Sequence, residues 1–145
     1  MTSIQSSTLL ALLACIFLCA CSDDVKAPLV ATNIEIMEAM PGQKMSAAYL
    51  TLSNNTNDAI TISAVVSPQF ELIEMHESLL EDGVAKMRRI TQLLIPANSS
   101  LNLERGGKHL MLMRPTGSAD QVALNFYSGD TFLLGVSSPL SSRNN

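Results

Sequence analysis

The chain has 145 residues, one domain's worth, of which 47% are hydrophobic and 15% charged; that balance excludes a disordered chain and a multi-span membrane protein. Thirteen acidic and nine basic side chains give a formal charge of -4, aromatics make up 4%, and Trp is absent. With no basic stripe and few rings to stack on bases, nucleic-acid binding is excluded as well. Methionine is the unusual component, at eight residues.

Leu9 to Ala20 is a nearly unbroken apolar run. It has the length of a signal-peptide core and falls short of the about 20 apolar residues that cross a membrane. Leu18-Cys19-Ala20-Cys21 then resembles a bacterial lipoprotein signal, in which the last Cys is acylated and retained. Residues 1–21 are read as that signal, with Cys21 as the lipidation site. The chain is then exported and lipid-anchored on the periplasmic face of a bacterial membrane. Met1 to Thr8 contains no Lys or Arg, so a plain signal peptide or an uncleaved anchor also stays open. Cys15 and Cys19 would leave with the signal. The mature domain would then have no thiol, which excludes CxxC redox chemistry, Cys-based zinc sites and thiolate blue-copper sites.

Residues 22–29 read as a polar linker, 30–137 as the folded domain and 138–145 as a flexible tail rich in Ser, Arg and Asn. Strand patterns fill the domain: Val30–Met37, Ser46–Ser53, Ala59–Val66, Phe70–Glu77, Val84–Thr91, Ser100–Glu104, His109–Arg114, Gln121–Ser128 and Thr131–Ser137. Glu71 to Leu80 is the exception that also fits a helical polar face. Turn chemistry separates the strands at Pro41-Gly42, Asn54-Asn55, Asp82-Gly83, Pro96-Ala97-Asn98, Gly106-Gly107 and Ser128-Gly129-Asp130. Short strands at this spacing predict an all-β sandwich or barrel.

The whole chain has two histidines, His76 and His109, and each has methionines nearby. His109 and Met111 are two apart on a predicted strand, so they project from one face. His76 and Met87 flank the Asp82-Gly83 turn. A four-residue loop, Leu80 to Gly83, would place His76 directly opposite Met87. A two-residue turn would instead pair His76 with Arg89. Two imidazoles and two thioethers form a soft, neutral donor set that suits copper(I) and offers little to magnesium, calcium or zinc. Thioethers also survive in an oxidising compartment that consumes free thiols. Protonation of the imidazoles, which titrate near pH 6.5 when free, would release the metal below about pH 6.

The spacing His76, ten residues, Met87, twenty-one residues, His109, one residue, Met111 resembles the signature of the periplasmic PCuAC copper chaperones that serve the CuA centre of cytochrome c oxidase. The flanks match as well: Pro41-Gly42-Gln43, Ser46 to Leu50, Met75-His76-Glu77, Asp82-Gly83-Val84, Lys86-Met87-Arg88, Ile95-Pro96-Ala97 and Gly106 to Met113. The resemblance covers Val30 to Val136. It implies a cupredoxin-like Greek-key β-sandwich and copper(I) held by His76, Met87, His109 and Met111. It also implies delivery to an acceptor such as the CuA subunit or another copper chaperone, with no enzymatic step.

Other residues have plainer readings. Met75 and Met37 are core fillers. Met40, Met45 and Met113 are candidate auxiliary ligands that otherwise serve packing. Glu74 and Glu77 form a solvated face, although a carboxylate there would also orient the second nitrogen of His76. Arg88 and Arg89 guard a strand edge. Gly106-Gly107 shapes the approach to His109. The competing functions are a structural or adhesive β-sandwich lipoprotein without metal, and a zinc hydrolase, which would need a third hard ligand beside the histidines.

Overall fold

A computed structural model describes residues 26–142. The signal segment, Cys21 and the first part of the linker lie outside the described residues. Eleven strands are present: β1 Leu29–Met37, β2 Met45–Asn54, β3 Ile60–Ile62, β4 Ala64–Val66, β5 Phe70–Glu81, β6 Val84–Ile90, β7 Leu93–Ile95, β8 Ser100–Leu103, β9 Lys108–Pro115, β10 Gln121–Ser128 and β11 Thr131–Ser141. They build a β-sandwich. The hydrogen-bonded path runs β4-β10-β11-β1-β2-β9-β5-β6, with β8 also on β2, and β3 pairs β7 separately.

Alternation decides which face each strand buries. On β2, Ala48, Leu50 and Leu52 point inward; on β9, Leu110 and Leu112 do; on β10, Val122, Leu124 and Phe126 do. Ile62, Val65, Leu93 and Ile95 from the short strands join them in one core cluster. The odd residues of β9 are therefore left on the outer face of its sheet. There β9 lies between β2 and β5, with Ala47 opposite Met111 on one side and His76 opposite His109 on the other.

Three expectations need correction. The predicted strand Ala59–Val66 is two strands broken at Ser63, because β3 pairs β7 while β4 pairs β10. Strand β7 falls in a stretch read as connection. The strand read from Phe70 to Glu77 is present and runs on to Glu81, so the helical option at Glu71–Leu80 is not taken. The tail does not begin at residue 138: β11 continues through Ser141, with Ser138 and Pro139 paired to β10 and Leu140 and Ser141 paired in parallel with Ile36 and Met37 of β1.

The end of β2 is fastened by Asn54, a side chain only 2% exposed. Its amide lies within hydrogen-bond reach of the carbonyls of Asp58 (2.7 Å), Ile95 (3.1 Å) and Pro96 (3.1 Å). Its Oδ1 accepts from the Thr56 backbone N–H at 2.9 Å and the Thr56 hydroxyl at 2.7 Å. This residue, read as part of a turn, is a buried polar hub.

Candidate metal site

The β5–β6 hairpin sets the first pair of side chains. Asp82 and Gly83 both have positive φ, 52° and 76°, the backbone of a two-residue turn whose twist matches antiparallel strands. Glu81 therefore pairs with Val84, His76 with Arg89 and Ser78 with Met87. The four-residue loop is not formed, and His76 does not sit opposite Met87. Because Ser78 is two residues from His76, Met87 still shares the face of His76, on the diagonal.

The second pair comes from β9. His109 sits directly opposite His76, with ring centroids 6.1 Å apart, close enough for one ion to lie between the rings. Met111, two residues on, shares that face, opposite Glu74. Met87, His109 and Met111 line one open cleft of about 410 Å³. Met40 and Met45 line it too, together with Tyr49 and Arg105. Met113 lies a step further along, opposite Met45. Met75 and Met37 are core residues, as read from the sequence.

Each imidazole is held by one nitrogen and leaves the other. His109 is 5% exposed, and its Nδ1–H donates to the Gly107 carbonyl at 3.0 Å. That carbonyl also accepts from the Ser78 N–H of β5 at 3.0 Å, so the Gly106-Gly107 turn locks both strands to the ring. The Nε2 of His109 keeps its lone pair in this tautomer. His76 is held the other way round. Its Nε2–H donates to Glu74 at 2.9 Å, and Arg89 lies 3.2 Å from the other oxygen of that carboxylate. The bond from His76 holds the Glu74 carboxyl below the ordinary carboxylate range, opposed by desolvation and reinforced by Arg89. Glu74 is therefore a hydrogen-bonded partner of His76 and an ion pair with Arg89, not the solvated residue expected. Glu77 is also lowered, first by its hydrogen bond from Lys108. It pairs with Lys108 across the β5–β9 ladder.

With Nε2 engaged, the Nδ1 of His76 is a bare acceptor. Among the described residues it is the fully buried side-chain nitrogen or oxygen left without a hydrogen-bond partner. Such an atom costs about 1–3 kcal/mol unless something satisfies it. No group of three or more His, Cys, Asp or Glu side chains suited to a metal occurs among the described residues. Beside the two imidazoles, the soft donors on this sheet face are the thioethers of Met87 and Met111.

Residues 29–132 match the family described as "Putative lipoprotein LpqE-like". The chain belongs to this LpqE-like family. Two relatives are each 29% identical: "Uncharacterized protein RP573" of Rickettsia prowazekii, over 59% of this chain and 49% of its own length, and "Putative lipoprotein Lxx21020" of Leifsonia xyli, over 66% and 61%. The LpqE-like chain thus spans about half of one relative and about six tenths of the other. Its fold is similar to that of the copper-bound PCuAC domain from PmoF2, with a TM-score of 0.64 and 12% identity over 79% of this chain and 93% of that one. It is also similar to the apo form of DR1885 from Deinococcus radiodurans, with a TM-score of 0.59 and 24% identity over 81% of each chain. These likenesses show a shared β-sandwich.

Proposed function

We propose that this domain is a copper(I) carrier, holding one ion between His76 Nδ1, His109 Nε2 and the thioethers of Met87 and Met111. The observation that carries the reading is the buried, unpartnered His76 Nδ1 on the strand position directly facing His109. A metal ion would satisfy that nitrogen, and the neighbouring sulfurs select a soft monovalent one. The copper-bound forms of two fold neighbours, the PCuAC domain from PmoF2 and CuI-DR1885, support the same cargo.

The donor set also suits transfer. It holds no thiolate, so nothing anchors the ion by charge, and Met87 is exposed at the cleft mouth. An acceptor ligand can replace the Met87 sulfur first, while the buried His109 is released last. The ion keeps its oxidation state and no proton need move with a thioether. We assign the acceptor to a copper-assembly site, such as the CuA subunit of cytochrome c oxidase or another copper chaperone. The chain acts from the periplasmic face of a membrane, anchored through Cys21, and performs no catalysis.

X-ray absorption at the copper edge of the loaded chain tests the assignment. Monovalent copper with two nitrogen and two sulfur neighbours is expected; divalent copper with nitrogen and oxygen neighbours alone would overturn it. Glu74 enters as the positioning partner of His76. Glu74→Ala should weaken copper(I) by about 10–100-fold, the usual effect of losing a partner behind a metal-binding histidine. Glu74→Gln, which keeps an acceptor oxygen, should recover most of that loss in a chelator-competition titration.

A further inference from the structure

Two groups stand apart among the methionines of this domain, with Met111 and Met113 half-buried between them. Met37 and Met75 are sealed in the core at 4% and 6% exposure. Met40, Met45 and Met87 are 52%, 43% and 54% exposed, and all three line the cleft that also contains Met111. At 52% and 43% exposure Met40 and Met45 leave about half of their surface in water, so packing accounts for them far less than for Met37 and Met75. Met40 and Met45 are held at the cleft by backbone. The Met40 carbonyl accepts from Gln43 N–H at 2.8 Å, and Gly42 takes the positive φ of 81° that closes this turn. Met45 opens β2 two residues before Ala47, which is the register partner of Met111. The two sulfurs are therefore carried on the β2 side of the cleft, across β9 from His76 and the β6 residue Met87.

We infer that Met40 and Met45 form a second, weaker copper(I) position at the cleft mouth, with Met111 between it and the histidine pair. The inference rests on the copper(I) reading of that pair and extends it to how the ion arrives and leaves. A thioether-only position binds a soft monovalent ion without charge and without a titrating group. Transfer inward is ligand exchange: a bond from a mouth sulfur breaks as one to an imidazole nitrogen forms, and the ion stays monovalent throughout. Met111 can remain bound during the step, so the ion is never released to water.

The test uses the full-length chain in detergent with Cys15, Cys19 and Cys21 changed to serine, so that no thiol competes. Its methionine methyls are isotope-labelled and followed by NMR during titration with silver(I), a redox-inert monovalent probe. The first equivalent should shift Met87 and Met111. The second should shift Met40 and Met45, while Met37 and Met75 stay fixed as internal controls. In the Met40→Leu, Met45→Leu chain the second step should vanish and the first remain. If Met87 and Met111 respond but Met40 and Met45 stay still through two equivalents, the second position is overturned and the primary site stands. If the second step survives in the double variant, the second position is again overturned. If Met87 and Met111 themselves do not respond, the primary reading fails and this inference falls with it.

Discussion

Replacing Met87 and Met111 together by leucine is expected to weaken copper(I) binding by more than about 100-fold, beyond the range for losing an outer partner of a ligand. Both side chains lie on the outer face of the sheet, Met87 exposed and Met111 partly buried. Leucine nearly conserves their volume, so the apoprotein should lose less than about 1.5 kcal/mol. The two imidazoles remain, so copper(II), which favours nitrogen, should be affected much less. Titration against a competing copper(I) chelator reads the first effect and thermal denaturation of the apoprotein reads the second. A double variant that competes for copper(I) like the parent would sink the proposed ligand set.

The second large effect concerns the fold. Asn54→Ala should destabilise the domain by about 3 kcal/mol or more, because removing a buried partner costs about 1–3 kcal/mol for each group left unsatisfied. The carbonyls of Asp58, Ile95 and Pro96 and the N–H of Thr56 all lose their Asn54 partner at once. Against a typical total of about 5–15 kcal/mol, that is a large share. Urea denaturation should show a lower midpoint with an unchanged slope. A loss below about 1 kcal/mol would mean that water replaces the amide and that the hub is incidental.

Much of this arrangement is legible in the chain itself. Alternation along Ser46–Ser53 and Gln121–Ser128 marks strands because one face is buried, and the structure buries those residues. His109 and Met111 share a face by the same parity. Other features depend on contacts distant in sequence. Leu93–Ile95 is a strand only because Ile60–Ile62 is available to pair with it. The break at Ser63 follows from two different partners on either side. The hairpin register depended on whether Asp82 accepts a positive φ, which composition alone leaves open. From sequence Glu74 reads first as a solvated residue and second as a carboxylate orienting His76; its role comes from the reach along β5 to His76 and from Arg89 diagonally across the hairpin. The signal was there in part, since Glu74 and His76 are two apart and so share a face. The prolonged β11 was hidden by a mostly polar sequence, because its last residues gain their place by pairing with β1, with Leu140 alone of them packed against the core.

The register of β1 on β2 has a consequence for orientation. Leu29 pairs with Asn54, at the far end of β2 from Met45. Ala27 and Pro28 are tied there as well, through their carbonyls to Asn55. At about 3.4 Å per residue, that corner lies about 17 to 30 Å along the strand from the Tyr49–Met45 stretch that borders the cleft. A tether leading back from Lys26 toward a bilayer would pull on the pole opposite the methionines. The open mouth would then look outward into the aqueous space, where a docking protein can reach it without being shouldered aside by lipid headgroups.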